Sequence, residues 1–447
     1  MIFENNSFLV VGLSRSGISA TKLLLSKGAK VEIYDDLDGE IIVRAKEELS
    51  SLGATVVGDN DIEKMVKRND VIVLSPGIPI DNKLPLCARK EGKRIIGELE
   101  LGQYFLRCPF IAVTGTNGKT TTVSIINEII SLSGKKSLCS GNIGVPLTSV
   151  CESIGEKDCT TIEVSSFQLE TTHLFTPHIA CLLNVTSDHL NRHYNMENYV
   201  FLKSKIFSNM RESEFAVLNY EDETCKKIAS NLRCKKIFFS DEREVDGAYA
   251  LGENIYFKGE KVLPSSSVKL SGKHNLQNVL CAVAVCKLLK IDNEIIEKGI
   301  REFKGVKHRI QFVKKVNEVS YYNDSKGTNT DSSIKAINSI SGNKIIILGG
   351  SDKGENFDEY VKEIKDKDVK LFVLQGENKQ KILESIKKHK LDNVICCPNF
   401  TVAFKVASAY AEENDSVLLS PASASFDAFN GYEERGNKFI ELVEGLL

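Results

Sequence analysis

"VTGTNGKTTT", residues 113–122, decides how the rest of this chain is read. It closes the apolar run "FIAVTG" and opens "TTTVSIINEII", so a buried strand passes through a glycine turn into a helix that starts on hydroxyl side chains. At such a junction backbone amides converge on phosphate oxygens, Lys119 adds a point charge for the outer phosphates, and Thr120 offers a hydroxyl to magnesium. The spacing is short: only Thr116 and Asn117 stand between Gly115 and Gly118, where the common phosphate loop has four residues before its Gly-Lys pair. A plain turn before a Thr-capped helix explains the glycines and threonines but not a lysine set directly between Gly118 and Thr120. The favoured reading is an ATP loop built from Gly115, Thr116, Asn117, Gly118, Lys119, Thr120 and Thr121.

Outward from this loop, short runs rich in Val and Ile ("FLVVGL", "KVEIYD", "DVIVLSPG") alternate with stretches of helical period. The alternation resumes after Ala180 and again after Asn343, as parallel sheets covered by helices require. A chain of 447 residues, at ~150 per domain, has room for about three domains. The expected fold is α/β in three consecutive domains, 1–97, 98–305 and 306–447. The first and last are expected to be Rossmann-like and the central one a P-loop ATPase-like parallel sheet. The first boundary precedes the helical lead-in "ELELGQYFLRCPF"; the second follows the amphipathic "NEIIEKGIREFKG".

With 58 basic and 60 acidic side chains the net charge is -2, which gives no electrostatic reason to expect nucleic acid or an anionic membrane as partner. The start lacks a basic segment followed by a long apolar stretch, and no run of about eighteen apolar residues occurs, so a cytoplasmic protein acting on a small substrate is expected. The 12 cysteines include no C-x-x-C, and many lie in apolar runs such as "VLCAVAVC", as buried free thiols do.

Two groups of strand ends carry polar residues. "VVGLSRSG", with Asp35 closing the next strand, looks like a dinucleotide fingerprint, but Ser14 stands where that fingerprint wants glycine. Its helix start at Ser14, Arg15 and Ser16 can still seat a diphosphate, and "LSPGIP" with Ser75 can close the same crevice. In the central unit, "CSGNIGVP" (Asn142), "TIEVSSFQLE" (Glu163, Ser165, Ser166, Gln168) and "LLNVTSDHLNRH" (Asp188, His189, Arg192) end strands beside the phosphate loop, where open α/β sheets bind ligands. Three function classes follow: an ATP-driven amide ligase, an NAD-linked oxidoreductase on the first unit, and a nucleotide-binding switch. Ser14 argues against the second. Strand-end Glu163 and His189, with the lysines of the third unit, argue against the third.

"GTNGKTT", "GNIGVP", "EVSSFQLE", "NVTSDHLNRH", "LSGKHNLQN", "GVKHRI", "NDSKGTN" and "SPASASFDAF" together resemble the Mur ligases, in the right order over almost the whole chain; the last three point to the branch that adds D-glutamate. The resemblance implies ATP, two Mg2+ ions, and D-glutamate and UDP-N-acetylmuramoyl-L-alanine as substrates, with an acyl phosphate between them. It implies that Thr120 and Glu163 hold one metal and that His189 helps hold the second. Lys203, four residues after Tyr199, is implied to carry a carbamate that reaches that second metal. Tyr199, Phe201, Leu202, Ile206 and Phe207 then supply the apolar positions of its helix, and Lys205 reads as an exposed lysine.

By the same resemblance Asn275 and Asn278 meet the adenine, and Arg309 and Asp324 contact ATP, the latter at its ribose. Lys326, Thr328 and Lys353 grip the carboxylates of D-glutamate, with Ser425, Phe426 and the neighbourhood of Tyr432 shaping its pocket. Ser14, Arg15, Ser16, Asp35 and Ser75 hold the UDP moiety, and Asn142, Ser165 and Gln168 line the path of the muramoyl group. Where some family members carry Asp-Thr-Arg, this chain has Asp35, Asp36 and Leu37, so no arginine contact to uracil is expected. A monomer without membrane insertion is implied.

Overall fold

Each of the three strand-rich stretches folds into its own sheet in the computed structural model, which describes residues 6–37, 39–58, 61–186, 188–270, 272–352 and 355–446. The first sheet has five strands in the order Thr55–Val56, Lys30–Tyr34, Ser7–Val11, Val71–Leu74, Arg94–Gly97, all parallel. The chain winds outward on one side of Ser7–Val11 and then on the other, which opens a crevice at the carboxyl end of that strand.

The second sheet has nine strands among the described residues, in the order Glu260–Pro264, Asn254–Phe257, Gly247–Leu251, Lys235–Ser240, Phe215–Asn219, Ile179–Leu182, Phe110–Thr114, Cys159–Glu163, Ser137–Gly141. It is parallel from Ser137–Gly141 to Gly247–Leu251 and ends in two antiparallel pairings. Phe110–Thr114 is buried throughout and lies between Cys159–Glu163 and Ile179–Leu182, because its run of apolar residues tolerates helices on both faces. The helices Lys119–Leu132 and Lys273–Leu288 pack against each other over this sheet. The third sheet runs Gln311–Val316, Val319–Asn323, Ser416–Leu419, Lys344–Leu348, Val369–Leu374, Val394–Cys396, parallel except for its first hairpin.

The first two sheets share one compact unit, Met1–Phe303, and the third forms a second, Lys304–Leu447. Within the first unit the helix Glu98–Gln103 joins the sheets: Glu98 Oε1 accepts from Thr148 N (2.6 Å) and Thr148 Oγ1 (2.9 Å), and that hydroxyl lies 2.7 Å from Ser19 Oγ. Most cysteines are buried, Cys396 is exposed, and all twelve are free thiols. Among the described residues no helix is long and apolar enough to cross a membrane.

Candidate functional site

The phosphate loop takes its shape from Asn184, which follows the neighbouring strand. Its backbone oxygen accepts from Thr116 N (3.0 Å), its side-chain oxygen from Asn117 N (2.9 Å), and its side-chain amide donates to Asn117 O (3.2 Å). Those two loop amides therefore hold the turn, and the amides of Lys119, Thr120 and Thr121 precede the first intrahelical bond, from Thr122 N to Gly118 O at 3.0 Å. Gly118 caps the helix at φ 86°, and a Cβ there would stand 2.2 Å from Asn278 Oδ1. Only glycine lets Asn278 approach this closely. Asn278 also accepts from Thr122 Oγ1 (3.3 Å) and donates to Asn275 Oδ1 (3.4 Å), so both expected adenine residues lie at the mouth of the loop.

Lys119 folds over the loop, its ammonium donating to the carbonyls of Gly115 (2.7 Å) and Thr116 (2.8 Å). Thr120 Oγ1 donates to Glu163 Oε2 at 2.7 Å and Asn142 Nδ2 to Glu163 Oε1 at 2.7 Å, with Thr120 and Glu163 buried. This hydroxyl and carboxylate are hard oxygen donors side by side, a set that fits magnesium, which keeps waters and phosphate oxygens as its other ligands. Among the described residues no group of three His, Cys, Asp or Glu could hold a metal by itself.

Lys203 is buried, and its ammonium donates to Gly115 O (2.9 Å) and lies 4.5 Å from the centre of the Tyr199 ring. Burial first, and then the charge of Lys119, push its pKa well below the usual lysine range. Tyr199, on the same helix, lies with its hydroxyl 3.2 Å from Thr116 Oγ1, so this residue, read as merely apolar, braces the loop. Phe201 is exposed, and Lys205 is half-buried, donating to Leu169 O and Glu170 O. Both depart from expectation because Lys205 faces the turn after Ser166–Leu169 while Phe201 points away from it.

His189 adopts φ 53° at the start of the short helix Leu190–His193, with its ring 4.9 Å from that of Phe167 and Nε2 3.5 Å from Asp188 Oδ2. His193, which no sequence signal singled out, is buried with Nε2 2.9 Å from Ser166 Oγ and its ring stacked on Tyr199 at 5.3 Å. Its pKa is pushed down to about 4, first by burial and then by His189, Arg192 and Lys203. Ser165 and Gln168 form a capping box with each other, which gives both a structural task at the start of Ser166–Leu169.

In the first sheet Asp35 accepts from Leu13 N (2.6 Å) and Leu37 N (2.9 Å), and Ser75 Oγ donates to Gly12 O (2.7 Å). Both clamp the turn of 12–16, where Ser14 and Arg15 are exposed and Ser16 half-buried at the start of helix Arg15–Ser26.

The second unit gathers its candidates at the ends of Val319–Asn323 and Ser416–Leu419. Asp324 is buried, accepting from Ser420 Oγ (2.8 Å) and Ile310 N (3.2 Å); burial raises its pKa to about 7 despite the charge of Arg309. Arg309 lies between His308 (φ 64°) and Ile310 (φ 46°), and a β-branched residue in that region is strained. Lys326 Nζ lies 5.8 Å from the centre of the Tyr432 ring, Thr328 is half-buried, Ser425 buried and Phe426 exposed. Lys353 lies outside the described residues. Reasoning from sequence missed Arg435, whose buried guanidinium donates to Ser325 O (2.9 Å), Ser423 O (3.0 Å) and Ala424 O (3.1 Å), tying "NDSKGTN" to "SPASAS". Nothing local marks it: it lies in a charged helix, Tyr432–Glu444.

Three family models match in order: the Mur ligase MurD-like N-terminal domain over residues 6–97, the Mur ligase middle domain over 113–286, and the Mur ligase glutamate ligase domain over 308–423. The chain is 40% identical, over 100% of both chains, to UDP-N-acetylmuramoylalanine–D-glutamate ligase of Thermoanaerobacter sp. (strain X514), and 39% identical, over 100% of both, to the protein of that name from Clostridioides difficile (strain 630). Among solved structures, UDP-N-acetylmuramate-alanine ligase MurC from Thermotoga maritima shares the fold with a TM-score of 0.59, at 18% identity over 98% of this chain and 99% of that one.

Proposed function

The chain belongs to the Mur ligase family, and from that premise we propose that it is an ATP-dependent ligase joining D-glutamate to UDP-N-acetylmuramoyl-L-alanine in cytoplasmic peptidoglycan precursor synthesis. The observation that carries this reading is the cluster of Lys119, Thr120, Glu163 and Asn142 around one phosphate loop, in a chain 40% identical over its full length to relatives of that name. Residues 1–97 take the UDP moiety, 98–305 take ATP and 306–447 take D-glutamate.

An amide forms from a carboxylate only after the oxygen to be expelled becomes a good leaving group. The carboxylate of the muramoyl-alanine attacks the γ-phosphorus of ATP, ADP leaves, and the amino group of D-glutamate then attacks the acyl phosphate; a proton is lost and inorganic phosphate departs. Bound magnesium supplies charge neutralisation where the anionic nucleotide meets the anionic acid. Lys119 and the amides of 119–121 stabilise charge on the transferring phosphoryl group. Thr120 and Glu163 hold one ion. His189 and Lys203 are assigned to a second, with Lys203 as a carbamate: its neutral amine adds to carbon dioxide and releases a proton. The depressed pKa of Lys203 supports this, because only the uncharged amine is nucleophilic. Asn275 and Asn278 take the adenine, while Arg309 contacts ATP and Asp324 shapes the ribose side. Lys326, Thr328, Lys353, Ser425 and Phe426 receive D-glutamate, and Ser14, Arg15, Ser16, Asp35 and Ser75 the UDP, with Asn142, Ser165 and Gln168 along the muramoyl path. The chain acts as a monomer.

The test is phosphate release from ATP with the muramoyl nucleotide and D-glutamate each omitted in turn. Release is expected only with both present. Release indifferent to both substrates would make the protein a nucleotide-driven switch.

A further inference from the structure

The turn that carries His189 also reaches the first sheet. Arg192 makes a forked pair with the buried carboxylate of Glu170 (Nη2–Oε2 2.6 Å, Nε–Oε1 3.2 Å), stands over the Phe167 ring at 5.2 Å, and donates from Nη2 to the backbone oxygen of Ile78 (3.0 Å). Two residues on, the hydroxyl of Tyr194 bonds Asp81. Ile78 and Asp81 belong to the turn that leaves strand Val71–Leu74, and its first residue, Ser75, holds Gly12 O at 2.7 Å. A continuous chain of bonds therefore runs from the diphosphate turn through Ser75, Ile78 and Arg192 to Glu170 and the His189 turn.

We propose that Arg192 and Tyr194 form a latch that fixes the turn of 75–82 against the phosphate-transfer site, and that Arg192 is a positioning residue for the muramoyl carboxylate. The inference rests on the ligase reading above. One substrate must be held at its UDP end by one sheet and at its carboxylate end by the other. The distance between those ends is then set by whatever joins the sheets beside the crevice. Arg192 is suited to this because its planar fork leaves an N–H for the Ile78 carbonyl while the pair with Glu170 holds the guanidinium still. A lysine would keep the charge and lose that geometry.

The experiment compares Arg192→Lys and Tyr194→Phe with the wild type. Removing the exposed Tyr194 hydroxyl spares the fold if loss of the buried pair does not. For both variants KM for the muramoyl nucleotide is expected to rise about tenfold while KM for ATP and the affinity for UDP alone stay within about twofold, since UDP spans only one sheet. The amides of Gly77, Ile78, Ile80, Asp81 and Asn82 are expected to exchange hydrogen faster in both. A parallel loss of UDP affinity, an equal rise in both KM values, or unchanged KM and exchange in both variants would each overturn the latch. A wild-type enzyme without D-glutamate-dependent turnover would instead overturn the ligase reading, and the exchange arm would still decide the latch.

Discussion

Lys119 and Lys203 donate to one acceptor: the carbonyl oxygen of Gly115 receives the first at 2.7 Å and the second at 2.9 Å. Two ammonium groups on one oxygen in a buried setting are an unfavourable pairing, and the cost falls on the deeper one, Lys203, whose charged form is disfavoured first by burial and then by Lys119. The pairing sets the buried Lys203, whose uncharged amine is favoured, beside the ammonium of Lys119.

Lys203→Ala is therefore expected to lower turnover about 10²- to 10³-fold, the range seen when one preorganised charge is removed from a transition state. Millimolar acetate should restore part of it by placing a carboxylate where the carbamate would stand. An alanine variant with near-normal turnover would remove Lys203 from the site.

Lys119→Ala should lose turnover on a similar scale of about 10²- to 10³-fold, with thermal unfolding little changed, since its half-buried side chain reaches over the loop to the Gly115 and Thr116 carbonyls instead of into a core. Retention of a large share of wild-type turnover would refute its role at the phosphate.

Glu163→Gln keeps the volume and one acceptor for Thr120 but removes the anion. The magnesium concentration for half-maximal activity should rise at least about tenfold, and KM for D-glutamate should stay flat. Magnesium titrations at saturating substrates decide it, and an unchanged requirement would move the ion elsewhere.

Thr328→Ala is expected to raise KM for D-glutamate about tenfold with little effect on ATP, because the hydroxyl proposed to bond its carboxylate would be gone. A rise for ATP alone would show that the amino-acid pocket has been misplaced. Lys353→Ala should act in the same direction.

Glu98 gives a pH dependence of stability. Buried, with Oε2 lacking any hydrogen-bond partner, it has its pKa raised from 4.5 to about 7. Between those values the native state keeps a proton that the unfolded chain releases, so stability is full below pH 4.5 and is lost as the pH rises to 7. The loss is about 3 kcal/mol at one unit per 1.36 kcal/mol. Glu98→Gln should flatten this component of a denaturant-midpoint profile; parallel profiles for the two proteins would contradict it.

The strand, loop and helix of 110–132 were legible because each depends on neighbours in sequence: an unbroken apolar run, glycines where the chain must turn, hydroxyls at a helix start. The alternation of strands and helices was legible for the same reason, as was the set of polar strand ends. The partners of those residues were not. Asn184 shapes a loop 67 residues before it because Ile179–Leu182 pairs with Phe110–Thr114, a consequence of sheet order and not of spacing. Tyr199 and His193 have the periodicity of ordinary helix positions, and only packing shows one bonded to Thr116 and the other stacked on its ring. Asp324 accepts from Ser420, which follows the adjacent strand Ser416–Leu419 and lies 96 residues later in the chain. Residue types and local periodicity thus determined the elements and the chemistry available at their ends, while burial and long-range pairing, which no local pattern encodes, decided which groups hold one another and which remain for substrates.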